Sequence, residues 1–103
     1  MPSGVVDYIF EWDPTKASRN RSKHRIGFER AGTVFNDPMA LSIHDVGHSD
    51  EEDRWVTIGL DAAGIVLVVV HTFRLIDANG CRIRLISARR ATKKETTQYE
   101  AGQ

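Results

Sequence analysis

Apolar and polar residues change rhythm along the chain, and each change marks an element. Asp7-Tyr8-Ile9-Phe10-Glu11-Trp12 alternates with a period of two, predicting a first strand with Tyr8, Phe10 and Trp12 on one face. Asp13-Pro14 then opens a helix: the Asp13 carboxylate accepts from amides that lack an intrahelical partner, and Pro14 sits where no donor is missed. This helix is predicted to run to about Arg25, with Gly27 ending it. Phe28, Ala31, Val34 and Phe35 recur at helical spacing, giving a second short helix over Phe28 to Phe35 that Asn36-Asp37-Pro38 stops.

The remainder reads as strands. Ala40 to His44 alternates weakly, and Trp55 to Leu60 does so more strongly. The Asp61-Ala62-Ala63-Gly64 turn joins the latter to Ile65 through Arg74 as a hairpin. The unbroken run Ile65 to Val70 predicts a central strand covered on both faces. A second turn, Asp77-Ala78-Asn79-Gly80, leads into a strand over Arg82 to Arg89. Thr92-Lys93-Lys94-Glu95 has the spacing of a capping box, so a last helix begins there. With little apolar surface beyond Tyr99, that helix is expected to fray or to lean on a partner. The predicted order is β-α-α-β-β-β-β-α: two N-terminal helices and a C-terminal helix packed on a small antiparallel sheet, a small α+β domain.

Composition narrows the picture. With 103 residues, 41% of them apolar and 27% charged, the chain fits one soluble domain. No apolar run approaches the ~20 residues of a membrane span, and no secretory signal is visible at the N-terminus, so a cytoplasmic protein without membrane contact is expected. The single cysteine, Cys81, excludes an internal disulfide and is read as a bland turn residue. Fourteen basic and fourteen acidic side chains cancel, but they are segregated. Lys16, Arg19, Arg21, Lys23, Arg25 and Arg30 crowd one segment, Arg82, Arg84, Arg89, Arg90, Lys93 and Lys94 another, while acids gather over Asp50 to Asp53.

Familiar catalytic signatures are absent: no glycine-rich phosphate loop, no Gly-x-Ser-x-Gly and no His-Glu-x-x-His. The segment His44 to Asp53 holds two imidazoles and five carboxylates, yet nothing in it enforces convergent ligand geometry. It is read as a solvated loop and docking surface, and no metal or cofactor is expected. In the first helix, Asn20 and His24 are expected to face the sheet while Lys16, Arg19 and Lys23 face solvent, which makes His24 a packed, hydrogen-bonded residue. The strongest candidate site lies on the last two strands. Strict alternation puts Thr72 with Arg74, opposite His71 and Phe73, and puts Ser87 with Arg89, opposite Arg84. Arginines near the ends of adjacent strands offer permanent charge and a fork of donors to phosphate. The same arginines also suit a soluble edge strand, and the residues alone do not choose.

In combination these residues resemble a known family. Phe10-Glu11-Trp12-Asp13, Lys16-Ala17, Asn20, Lys23-His24, Gly27-Phe28, Ala31, Val34-Phe35 and Asp37-Pro38 carry the first half of the match. His48-Ser49, Glu52-Asp53-Arg54, Ile58-Gly59, Val70-His71-Thr72, Ile86 to Thr92, Glu95 and Tyr99 carry the second. From about Tyr8 to Glu100 the chain is similar to the BrnT toxins of bacterial type II toxin–antitoxin systems. The resemblance implies a RelE-like fold, residues 1–103 forming a single toxin domain, and metal-independent RNA cleavage that inhibits translation. It implies a BrnA-like ribbon-helix-helix antitoxin as partner, two toxins with two antitoxins, and DNA contact only through that antitoxin. Carried onto this chain, the catalytic expectation is Arg74, Arg89, His71 and Tyr99, with Lys23, His24, Arg84, Arg90 and Lys93 binding RNA. The rival expectation is a non-catalytic protein of the same shape that grips an antitoxin or nucleic acid.

Overall fold

The alternation at the N-terminus forms the strand it predicts. In the computed structural model, which describes residues 7–45, 47 and 53–102, β1 spans Asp7–Glu11. α1 follows at Pro14–His24, capped by the Asp13 side chain, which accepts from the Thr15 amide at 2.8 Å. Its end differs from expectation. Arg25, not Gly27, takes the left-handed conformation (φ 63°) and returns its amide to the Arg21 carbonyl, while Gly27 is the N-cap of the next helix. The anticipated second helix is two pieces, α2 at Phe28–Gly32 and a 3-10 turn at Thr33–Asn36.

β2 (Leu41–His44), β3 (Arg54–Leu60), β4 (Val66–Thr72), β5 (Arg74–Leu75) and β6 (Gly80–Arg90) complete the sheet, and α3 spans Lys93–Ala101. The order across the sheet is β1-β6-β4-β3-β2, with β5 also pairing with β6. The expected all-antiparallel sheet is corrected: β1 runs parallel to β6, with Tyr8 opposite Cys81 and Phe10 opposite Ile83, so the sheet is mixed. Turn chemistry sets the direction of β3 to β4 and of β5 to β6, but no short turn ties β1 to a partner. The long strand expected from Ile65 to Arg74 is also broken, at Phe73, into β4 and β5.

The two faces of the sheet carry different layers. Leu67, Val69, Ile83, Leu85 and Ala88 meet Ile26, Phe28, Ala31 and Val34 of the N-terminal helical layer, all buried. On the opposite face Ile58 and Val68 meet Tyr99 of α3, with Val56, Val66 and Ala91 alongside. This explains the unbroken apolar run in β4, whose odd residues serve one layer and even residues the other. α3 does not fray. Thr92 and Glu95 form the predicted capping box, and the Tyr99 hydroxyl donates to Asp37 Oδ2 at 2.6 Å. No helix among the described residues is long and apolar enough to cross a membrane.

Two polar devices hold the layers in place. Beyond Glu11, β1 stops and leaves the edge of β6 open; Asn20 of α1 covers it. Its Nδ2 donates to the Ala88 and Ile26 carbonyls (2.8 and 3.0 Å), and its Oδ1 accepts from the Ala88 amide at 3.0 Å. A side-chain amide thus replaces one link of a missing strand. Asp61, 5% exposed, anchors the β3–β4 turn by accepting from the Ala63 and Ile65 amides and from Arg30.

Candidate functional site

β6 alternates Cys81, Ile83 and Leu85 inward with Arg82 and Arg84 outward, onto the face that α3 partly covers. A bulge then intervenes: His71 pairs with Leu85 but Val70 pairs with Ser87, so Ile86 is the extra residue. The strictly alternating expectation, with Arg84 opposite Ser87 and Arg89, is therefore corrected. All three share the α3-side face with Arg82.

Arg74 stands directly across from Arg82, and Arg54 directly across from Thr72, whose hydroxyl accepts from the Arg84 amide at 3.3 Å. With strands ~4.8 Å apart, Arg54, Arg74, Arg82 and Arg84 form one patch roughly 10 Å across. Glu11 completes it from β1, opposite Arg84 in register and with Oε1 3.9 Å from Arg82 Nε. Two like charges directly opposed on a sheet cost free energy. An anion seated between Arg74 and Arg82 relieves that cost.

Arg89 is not part of this patch. From Arg82 to Arg89 is seven residues along β6, or ~23 Å at ~3.3 Å each, so the expected convergence of Arg74 and Arg89 on one phosphate does not occur. Instead Arg89 grips Glu95 with both terminal nitrogens, at 2.8 and 2.9 Å. That fork, opposed by burial and aided by the Thr92 amide, drops the Glu95 carboxyl to about 2 and raises Arg89 further. Tyr99 is likewise tied up at Asp37, with its phenol pushed up to about 12 by that hydrogen bond and by burial. Both residues anchor α3.

His71 lies on the other face, 1% exposed. Its Nδ1 is 2.9 Å from the Thr72 carbonyl and its Nε2 2.6 Å from Thr57 Oγ1, which in turn lies 2.8 Å from Ser42 Oγ. A carbonyl only accepts, so Nδ1 carries the proton and Nε2 accepts from Thr57. Burial holds the imidazole below its usual range, against the opposing pull of the Thr72 carbonyl, so it is neutral at pH 7. Above it opens a cleft of about 200 Å³ lined by Tyr8, Phe35, Ser42, Trp55, His71 and Phe73.

Of the residues expected to bind RNA, Arg84 belongs to the arginine patch. Lys23 and His24 line a shallow groove of about 210 Å³ with Lys16, Arg19, Asn20, Ile86 and Ser87. Lys16, Arg19 and Lys23 are exposed and Asn20 is buried, as the helical periodicity required. His24 is half-buried, without the hydrogen bond expected of it. Arg90 and Lys93 are exposed near the β6–α3 junction, remote from Arg74. Cys81 is buried, which raises its thiol and removes it as a nucleophile. Among the described residues no three His, Cys, Asp or Glu side chains come together to hold a metal. His44 meets Asp53 at 3.3 Å, while His48 to Glu52 of the expected docking loop lie outside the described residues. Sequence reasoning missed Arg54 and Arg82, although the plain Cys81-Arg82-Ile83-Arg84-Leu85 alternation already places Arg82 with Arg84.

The family model described as "Ribonuclease toxin, BrnT, of type II toxin-antitoxin system" matches residues 12–95. The chain belongs to the BrnT family. Among solved structures it is similar to the Brucella abortus ribonuclease toxin BrnT, at 22% identity and a TM-score of 0.56, covering 85% of this chain and all of that one. That likeness shows a shared fold. No curated protein matches the chain. The family match takes in Arg54, Arg74, Arg82, Arg84 and His71, whereas Tyr8, Glu11 and Tyr99 lie outside it.

Proposed function

We propose that this BrnT-family toxin is a metal-independent endoribonuclease whose reacting centre is the arginine patch, on a RelE-like scaffold. The observation that carries the reading is Arg74 directly opposite Arg82, beside Arg84 and Arg54 on one sheet face. In RNA the 2′-hydroxyl attacks the adjacent phosphorus, and charge builds on the phosphoryl oxygens. Guanidinium forks aimed at those oxygens lower that barrier without a metal. Glu11, the carboxylate at the rim of the patch, takes the 2′-hydroxyl proton. The P–O5′ bond then breaks, the leaving oxygen takes a proton from solvent, and the ends are a 2′,3′-cyclic phosphate and a 5′-hydroxyl. Arg90 and Lys93 at the β6–α3 junction and Lys23 with His24 in the α1 groove extend the contact to flanking phosphates, an electrostatic role that tolerates distance.

Loss of messenger RNA by this route inhibits translation in the cytoplasm. Family membership supports an antitoxin partner, and we take it to be of ribbon-helix-helix type, two with two toxins, the complex meeting DNA through the antitoxin.

The test is cleavage of single-stranded RNA by the purified chain in excess chelator. Cleavage is expected to persist, and Arg74→Ala or Arg82→Ala to slow it roughly 100-fold or more, the scale of losing one oxyanion donor. Glu11→Gln is expected to slow it roughly 100-fold, the lower range for a general base. Cleavage that appears only with added metal, or that ignores Arg74 and Arg82, overturns the proposal. Tight antitoxin binding without cleavage in any arm would leave the non-catalytic reading.

A further inference from the structure

The cleft over His71 sits on the face opposite the arginine patch and is lined quite differently. Strand order places Tyr8 of β1 on one side of His71 and Trp55 of β3 on the other. Phe35 of the 3-10 turn stands 5.9 Å from Tyr8 between ring centres and presents its ring edge-on to His71 at 4.8 Å. Phe73 leans on Trp55 at 6.5 Å. Tyr8 and Phe73 remain 37% and 45% exposed, so large aromatic surface is left facing solvent rather than sealed in the core. Among the described residues no charged side chain lines the cleft. Its volume of about 200 Å³ falls below the ~300 Å³ at which pockets for drug-sized ligands begin, which suits one flat ring system.

From this geometry we infer that the cleft is a nucleobase pocket: it takes one unstacked base of single-stranded RNA between its aromatic walls. The inference rests on the ribonuclease reading and adds the subsite by which the chain selects its substrate. Three observations carry it. Aromatic side chains around an uncharged slot are how proteins hold splayed RNA bases, each of which has a π-face whatever its identity. Phe73 is followed directly by Arg74, whose pairing with Arg82 puts it on the other face, so a base on Phe73 leaves its phosphate at the sheet edge beside the arginine patch. Among the described residues, β3 ends at Arg54, opposite Thr72, and no described strand pairs beyond it on that side.

The polar end of the cleft has a defined polarity. The Thr72 carbonyl keeps the proton on His71 Nδ1, Nε2 takes the Thr57 proton, and Thr57 oxygen takes the Ser42 proton. Ser42, exposed at the mouth, is left presenting lone pairs. The pocket therefore favours a base edge that offers N–H, and adenine is held better than the same ring without its amino group.

The experiment is fluorescence anisotropy with the full chain and a short, labelled, single-stranded 2′-O-methyl RNA, which blocks cleavage, against the same strand made abasic at successive positions. Removing the base at one position is expected to weaken binding about ten-fold, the middle of the range for losing one stacked base. Phe73→Ala is expected to weaken the intact strand by a similar factor and the abasic strand hardly at all, while Phe73→Trp restores binding. Replacing adenine by purine at that position is expected to weaken wild type but not Ser42→Ala. Equal affinity for intact and abasic strands overturns the inference, and is what a cleft made for a partner protein's side chain would give. Equal weakening of both strands by Phe73→Ala does the same. Cleavage of unmodified RNA is followed in parallel to separate the two readings. Cleavage with no base dependence of binding removes the pocket alone, whereas base-dependent binding with no cleavage in any arm removes the ribonuclease reading and leaves the pocket.

Discussion

Replacing Asn20 by alanine tests how the open edge of β6 is held. Asn20 is 6% exposed and makes three hydrogen bonds: to the Ile26 carbonyl at 3.0 Å, to the Ala88 carbonyl at 2.8 Å and from the Ala88 amide at 3.0 Å. Alanine removes all three and leaves two carbonyls and one amide facing a void about the size of the lost carboxamide. Each buried group left without a partner costs about 1–3 kcal/mol, less where water enters. The sum is roughly 3–5 kcal/mol, a large share of the ~5–15 kcal/mol that holds a small domain folded. At ~4–8 °C per kcal/mol, the melting temperature is expected to fall by at least about 12 °C. Urea unfolding and a thermal scan, both followed by circular dichroism, measure the cost and the shift. Asn20→Asp supplies the internal control. It keeps the shape and the acceptor for the Ala88 amide, but it sets a carboxylate against two carbonyl oxygens that need donors. It is expected to be at least as damaging as alanine at pH 7. An alanine cost under about 1 kcal/mol, or an aspartate substitution milder than the alanine one, would show that α1 is held by apolar packing and not by this amide.

Three further outcomes follow from the anchors of α3 and from the sheet. The Glu95 carboxyl, at about 2 in the folded chain against an ordinary 4.5, stabilises above pH 4.5 and loses that contribution as pH falls toward 2. Because Arg89 is 41% exposed, solvent screening trims the effect to about 1 kcal/mol, so Glu95→Gln is expected to shrink the gap between urea midpoints at pH 7 and pH 3, and an unchanged gap contradicts it. Tyr99→Phe takes from Asp37 its only side-chain donor among the described residues, at a cost of about 1–3 kcal/mol. The Tyr99 phenol ionises at about 12 instead of 10, so its contribution is complete below pH 10 and fades between 10 and 12; an absorbance titration is expected to lose that late phase in the variant. Gly59→Ala is expected to destabilise by about 1–3 kcal/mol, since a Cβ there lies 2.7 Å from Val34 Cγ1 and 3.0 Å from the Ala40 Cβ; an unchanged melting curve shows that the 3-10 turn gives way freely.

What was legible in the amino-acid order is what local chemistry decides. Asp13-Pro14 starts α1, Asp61 to Gly64 turns β3 into β4, and Thr92 with Glu95 caps α3, because each motif satisfies its own backbone within a few residues. The parallel seating of β1 on β6 was not legible, because the two strands lie some seventy residues apart and only the shared core, with Phe10 beside Ile83, selects the direction. Arg25 in the left-handed region carries no local signal either; a glycine two residues later looked like the better stop. Half of the arginine patch was visible, Arg74 and Arg84. Arg89 was misplaced beside Arg74 because strict alternation cannot see the Ile86 bulge or measure distance along a strand. The aromatic cleft was invisible for another reason: Tyr8, Phe35, Trp55 and Phe73 come from four elements or turns, and each alone reads as ordinary core.

The position of α3 decides which part of its sheet face is left for chemistry. Tyr99 on Asp37 and Glu95 on Arg89 pin the helix over Ile58, Val68 and the C-terminal half of β6. The arginine at that end is neutralised within the protein, and its guanidinium completes a helix cap. The N-terminal half of β6 lies beyond the helix, with Arg82 and Arg84 outward and Arg74 and Arg54 beside them. A chain with no net charge thus gathers basic side chains on the end of that face that α3 does not reach. Phosphate contacts governed by such a patch weaken steeply with salt, while stacking in the aromatic cleft does not. RNA affinity measured from low to high salt is thus expected to lose its dependence on Arg74 and Arg82 sooner than its dependence on Phe73, and a parallel decline of both would argue against two chemically distinct subsites.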